Sequence, residues 1–208
     1  MASGGNVVRR AGGPRVRAQK GAIERLYTAP PEGCVVVCLD EIGPQSAKSY
    51  PGRRDVAGYV FGALQPATGA AFTVTYERRT TANWVDFLGR VEGWIDPSVE
   101  RVYAVLDNLS THTALDVLLF ALAHPRWEFV FQPVYAAYLN LIEPWWKILR
   151  SLALKGRRFE DWPEIEEAVR RATEYWNRHK HPFAWGRRRR HRTPRRLGIA
   201  AAPNVLRF

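Results

Sequence analysis

Three acidic residues stand where an apolar run gives way to polar chain. Asp40 follows Val35-Val36-Val37-Cys38-Leu39, Asp107 follows Val102-Tyr103-Ala104-Val105-Leu106, and Glu143 follows Leu139-Asn140-Leu141-Ile142. The first two runs read as buried strands and the third as the start of a helix. A strand that delivers an Asp as it leaves a sheet puts a hard oxygen ligand at the sheet's edge. Carboxylates gathered there repel one another unless a cation neutralises them, and oxygen ligands of this kind suit Mg²⁺ or Mn²⁺. Glu41 competes with Asp40 for the role at the end of the first strand.

Each acid has a plainer alternative. Asp107 would also serve as a turn residue capping the helix that follows. Asn140 with Glu143 three residues on fits a capping box, in which the Glu reaches back to the cap amide. Asn108 and His112 follow Asp107 closely; His112 would orient a phosphate or a water, or sit as a satisfied polar group on a helix face. Trp145 and Trp146, just after Glu143 and Pro144, read as core packing for at least one of the two. The case for chemistry is the conjunction of three independent element ends.

The remainder of the chain is basic. Its 208 residues carry 31 Lys and Arg against 20 Asp and Glu, a net charge of +11. That balance favours a polyanionic partner, nucleic acid before an anionic membrane surface. Arg dominates, which suits bidentate phosphate contacts, although a GC-rich genome would produce the same bias. Arg187, Arg188, Arg189, Arg190 and Arg192 form the densest cluster and are candidate DNA contacts; the alternative is a solvated tail. No apolar run approaches the roughly 18 residues of a membrane span, and the basic N-terminus lacks the apolar stretch of a secretory signal. Cys34 and Cys38 lie four apart in one strand, facing one side and too distant to bridge, so they read as two buried thiols in a reducing, cytoplasmic setting.

The elements that must position these groups follow from periodicity and turn chemistry. Residues 1–21 read as a flexible basic tail, with a helical turn or two over 22–28. Strands are predicted over 34–40, 58–64, 70–77, 101–106 and 127–131, with a hairpin turn at Gln65-Pro66-Ala67-Thr68-Gly69 and loop chemistry over 41–56. Thr80 or Thr81 caps a helix carrying Trp84, Phe87, Leu88, Val91 and Ile95. Ser110 or Thr111 caps the next, with Leu115, Leu118, Leu119 and Leu122 on one face. Asn140 opens a helix to about Leu152, and a last amphipathic helix runs from about Trp162 with Ile165, Val169, Ala172 and Trp176 as its stripe. Residues 22–185 then form one α/β domain and 186–208 an Arg-rich tail. An antiparallel meander followed by crossovers gives a mixed sheet covered by helices. If the fourth strand lies parallel beside the first, Asp40 and Asp107 emerge at the same edge, where α/β sheets place their sites.

Leu106-Asp107-Asn108-Leu109-Ser110-Thr111-His112 resembles the second-aspartate motif of bacterial insertion-sequence transposases of the mariner-like DDE superfamily. Tyr138-Leu139-Asn140-Leu141-Ile142-Glu143-Pro144-Trp145-Trp146-Lys147 resembles that family's glutamate motif, and Leu39-Asp40-Glu41 its first-aspartate strand. The resemblance spans about residues 22–190. It implies a ribonuclease H-like five-stranded mixed sheet flanked by helices, with Asp40, Asp107 and Glu143 as catalytic ligands of a pair of Mg²⁺ or Mn²⁺ ions. It implies double-stranded DNA, both element ends and target, as partner, with a homodimer and a separately encoded helix-turn-helix protein as further candidates. Asn108, His112 and Asn140 are the candidate supports of the site. Ala136-Ala137-Tyr138 stand where the family commonly has Ser-Pro-Asp. The stretch ahead of the first strand is too short for the usual helix-turn-helix modules, so the expectation is a catalytic part alone, from a split reading frame or a decayed copy. A nuclease without strand transfer and a non-catalytic DNA-binding remnant are the competing readings.

Overall fold

The computed structural model describes residues 13–46, 57–112 and 114–185. Five strands, β1 (Cys34–Ser46), β2 (Ala57–Gln65), β3 (Ala70–Tyr76), β4 (Arg101–Leu106) and β5 (Trp127–Phe131), form one sheet in the order β3-β2-β1-β4-β5. β1, β2 and β3 pair antiparallel, whereas β4 lies parallel to β1 and β5 parallel to β4. The expected meander and crossovers are therefore present, and β4 adjoins β1.

Alternation along β1 sorts its side chains to two cores. Val36, Cys38 and Ile42 face a cluster built by α1 (Pro14–Thr28), α4 (Ile142–Ala153) and α5 (Trp162–His179). Val37 and Leu39 face a second cluster built by α2 (Thr81–Trp94) and α3 (Leu115–Ala123). Two local contacts fix helix starts, the first of them at an expected cap. The Thr80 hydroxyl accepts from the Asn83 amide at 3.2 Å, and Asp161 accepts from the Glu164 amide at 3.1 Å. The α5 stripe of Ile165, Val169, Ala172 and Trp176 is buried.

Several expectations are corrected. β1 does not stop at Asp40; it continues to Ser46 because β2 goes on pairing with it, with a register shift between Ile42 and Gln45. Only residues 47–56 of the expected loop lie outside the described residues. The N-terminal tail does not run to residue 21, since α1 begins at Pro14, whose lost amide costs nothing at a first helical turn. Ile23 is fully buried, and the Tyr27 hydroxyl donates to the Leu139 carbonyl at 2.7 Å, which docks this helix on the core. Neither Ser110 nor Thr111 caps α3: residues 110–112 form a separate 3-10 turn and Ala114 precedes the helix. The α3 leucines share one face, but it is the solvent face, 53–71% exposed, while Val117 and Phe120 turn inward. Cys38 is buried, its thiol pushed up to about 12 by that burial, but Cys34 is only partly covered. The cluster Arg187, Arg188, Arg189, Arg190 and Arg192 lies outside the described residues. Among the described residues, no helix is long and apolar enough to cross a membrane.

Candidate active site

The last paired residues of the β1–β4 ladder are Cys38 and Val105, so Asp40 and Asp107 each lie two positions beyond it. A step of two preserves the face. Asp40 therefore keeps the face of Cys38, the one covered by α4 and α5, whereas Asp107 lies past the end of β4 and its carboxylate meets His112. Asp40 sits within β1, opposite Gly62 of β2, rather than at the strand's end. The parallel partner stops before it while the antiparallel partner runs on, which opens the sheet on one side of Asp40 only.

Helix α4 brings the third acid. Glu143 is in its first turn, and Trp146, three residues on, donates its indole N–H to Asp40 Oδ2 at 2.9 Å. Gly62 makes this contact feasible: a Cβ there would lie 2.3 Å from the Trp146 ring. Asn140 does not open α4, and no capping box forms; Leu141 is the cap, without a side-chain bond. Instead Asn140 is buried, donating to the Leu39 carbonyl at 2.9 Å and accepting from the Ile142 amide at 3.4 Å. It thus ties the start of α4 to β1 beside Asp40. Asn108 donates to the Gln132 carbonyl at 2.6 Å and so links the exits of β4 and β5. Trp145 is core packing, as its burial shows.

The electrostatics of the three acids differ. Burial pushes Asp40 up to about 7; the Trp146 bond lowers it, and Glu41 and Glu143 raise it further. For Asp107, burial acts upward, but hydrogen bonds from His112 and from the Leu109 amide outweigh it and hold the carboxyl below its ordinary value. His112 is buried with both ring nitrogens engaged, Nδ1 at 2.8 Å from Asp107 Oδ1 and Nε2 at 3.2 Å from Glu41 Oε2. Burial alone would lower this imidazole, yet the two carboxylates raise it to about 9. Glu41 points to the opposite sheet face from Asp40, as adjacent strand residues must, and it also meets Arg79 at 3.4 Å.

Among the described residues, no three His, Cys, Asp or Glu side chains are gathered closely enough to hold an ion as they stand. Asp40 is turned to Trp146 and Asp107 to His112. The donor set nevertheless fits a hard cation. A buried carboxylate whose charge is opposed by Glu41 and Glu143 gains most from a positive ion beside it. The contacts that Glu41, Arg79 and Trp146 make beside these acids emerge only from the structure. The signals for two of them are present in the sequence: strand alternation sends Glu41 away from Asp40, and helical spacing puts Trp146 on the face of Glu143.

Residues 39–166 match the family described as DDE superfamily endonuclease. The chain belongs to this family. A 128-residue stretch of this DDE endonuclease chain is 22% identical to the insertion element IS630 uncharacterized 39 kDa protein of Shigella sonnei, covering 62% of this chain and 37% of that one. Among solved structures, it is similar to the Mos1 transposase paired-end complex with left transposon end, with a TM-score of 0.54 and 17% identity over 88% of this chain and 60% of that one. The Mos1 strand transfer complex gives a TM-score of 0.49 at 16% identity, over 85% of this chain and 64% of that one. The fold is thus the expected ribonuclease H-like one, and this DDE endonuclease chain spans less than two thirds of the length of these relatives.

Proposed function

We propose that the chain is the catalytic domain of an insertion-sequence transposase, cutting DNA at element ends and joining the freed 3′ end to target DNA. The observation that carries this reading is the placement of Asp40, Asp107 and Glu143. Asp40 and Asp107 lie two residues beyond the last paired positions of neighbouring parallel strands, and α4 brings Glu143 close enough to Asp40 to raise its carboxyl. Asp40, Asp107 and Glu143 are the residues that would hold Mg²⁺ or Mn²⁺. Two such ions, when bound, supply charge stabilisation for the attacking and leaving oxygens of an in-line displacement at phosphorus.

The chain's own residues prepare that site. Trp146 and Gly62 close the floor beneath Asp40 and keep water from its inner side. Asn140 fixes where α4, and with it Glu143, begins. Asp107 is held by His112 and by the Leu109 amide, both on Oδ1. With Oδ1 occupied, Oδ2 is the oxygen left to face a cation.

The surface next to the acids favours a phosphate backbone. Glu143, Lys147 and Arg150 recur at helical spacing on α4, so one face runs from the acid to the cations. Gln45, Lys147, Arg150, Ser151, Leu154 and Lys155 line an open groove of about 530 Å³ there. Among the described residues these three cations form no ion pair, whereas Arg170 and Arg171 of α5 are matched by Glu167 and Glu174. DNA leaving the site would follow this groove, with Arg187, Arg188, Arg189, Arg190 and Arg192 as further phosphate contacts. Replacing Lys147, Arg150 and Lys155 together with Ala should reduce the salt dependence of duplex binding by about 0.9 log unit per log unit of salt for each phosphate no longer neutralised. Filter binding across a salt series checks this, and an unchanged slope would place the DNA elsewhere. A homodimer and a separately encoded helix-turn-helix partner are part of the same proposal. A strand-transfer assay separates transposition from simple hydrolysis, since only the former joins the new 3′ end to a second duplex.

A further inference from the structure

We infer that Glu41 and His112 are positioning residues that hold Asp107 in its ligating orientation, through a chain of side-chain contacts running Arg79–Glu41–His112–Asp107. This inference rests on the metal-site reading above and extends it to the side of the sheet away from Asp40.

The geometry is specific. His112 is buried and touches a carboxylate oxygen with each ring nitrogen, Asp107 Oδ1 at 2.8 Å and Glu41 Oε2 at 3.2 Å. The two contacts fix both the plane and the rotation of the ring. Its face lies on Trp84, with ring centroids 4.0 Å apart. The Glu41 side chain is 2% exposed, and Arg79 meets its other oxygen at 3.4 Å. Glu41 therefore has no route to a cation beside Asp40; its function is to fix His112.

The contacts decide the direction of the effect. A carboxylate is a stronger hydrogen-bond acceptor than a neutral amide. Without the Glu41 carboxylate the Nε2 side of the ring is held less firmly, and with it the orientation of Asp107. The site then binds a cation less well. Carboxylates that orient a histidine behind a metal ligand typically matter at the level of roughly ten- to a hundredfold in metal affinity.

The test is Mn²⁺ titration calorimetry on the full chain, wild type against Glu41→Gln, which preserves the shape of the side chain. The expected result is Mn²⁺ binding weakened by roughly tenfold or more, while the melting curve recorded in EDTA stays cooperative. Where cleavage is followed, the half-saturating Mg²⁺ concentration should rise and the rate at saturating Mg²⁺ should be largely restored, a split that general loosening of the fold would not give. If Glu41→Gln does not fold, Glu41→Asp carries the same prediction, because it keeps the charge but shortens the reach to His112. Affinity within twofold of wild type in a folded Glu41→Gln chain overturns the inference. A wild-type chain that takes up no Mn²⁺ would instead remove the metal reading, and the relay with it.

Discussion

Asp40→Asn should abolish metal-dependent DNA cleavage and, in the same protein, raise the melting temperature at pH 8. Both effects come from one cause. The folded state holds Asp40 at about 7, against an ordinary value of 3.8, because of burial and because Glu41 and Glu143 lie near. A carboxyl that binds its proton more tightly when folded loses stability as pH rises from its unfolded value through its folded one. His112 adds to the same trend one step later. Its folded value of about 9 lies above the ordinary 6.5, so its contribution is complete below 6.5 and is lost as pH rises through 9. In EDTA the wild-type melting temperature should therefore fall from pH 5 to pH 9. Asn at position 40 can still accept from the Trp146 indole and carries no charge, so the part of the fall below about pH 7.5 should disappear. Added Mn²⁺ should reverse the fall in the wild type and not in the variant. Calorimetric melting at four pH values checks all of this; a wild type most stable at pH 8 without metal would show that Asp40 is not held as described. A site that destabilises its own fold in the absence of its ligand is the usual relation of function to stability.

Trp146 is the second place where a single change should have a large effect. Its indole is buried, lies against Gly62 and donates to Asp40 at 2.9 Å. Trp146→Ala should cost about 3–5 kcal/mol, the usual range for emptying an aromatic site. Trp146→Phe keeps most of the packing and removes the donor, and because that bond lowers Asp40, the carboxyl should move above its present value of about 7. The reciprocal change, Gly62→Ala, places a Cβ 2.3 Å from the same ring and should destabilise by about 1–3 kcal/mol through overpacking. Urea unfolding of the three variants checks the order. A Trp146→Phe chain whose Asp40 titrates lower than in the wild type would contradict the assigned contact.

Much of this site is legible in the amino-acid sequence because strands advertise their ends. Val35–Leu39 and Val102–Leu106 are apolar runs closed by an Asp; that the two strands lie parallel side by side, which brings both acids to one edge, is supplied by the pairing in the structure. Asn140 is recognisable as a residue at a helix start, but its bond to the Leu39 carbonyl is not, because that partner lies 101 residues away. Extension of β1 to Ser46 depends on β2 rather than on local propensity, and Gly43 with Pro44 reads as loop when the pairing is unknown. The α3 leucines mislead for a different reason. Helical spacing reports that residues share a face and says nothing about which face the sheet covers; the inward pair is Val117 and Phe120. Glu41 reads as a rival to Asp40 by composition alone, yet the period-two alternation of a strand already sends neighbours to opposite faces. Its actual companions, His112 and Arg79, come from two other segments of the chain.

The most direct test of the central claim is cleavage of end-labelled duplex DNA by the full chain in Mg²⁺ or Mn²⁺, with the wild type and Asp107→Asn compared in one experiment. The geometry predicts cation-dependent nicking by the wild type that EDTA stops, and no nicking by a variant that still folds and binds DNA. Undiminished cleavage by the folded Asp107→Asn chain, or wild-type cleavage that persists in EDTA, would contradict it.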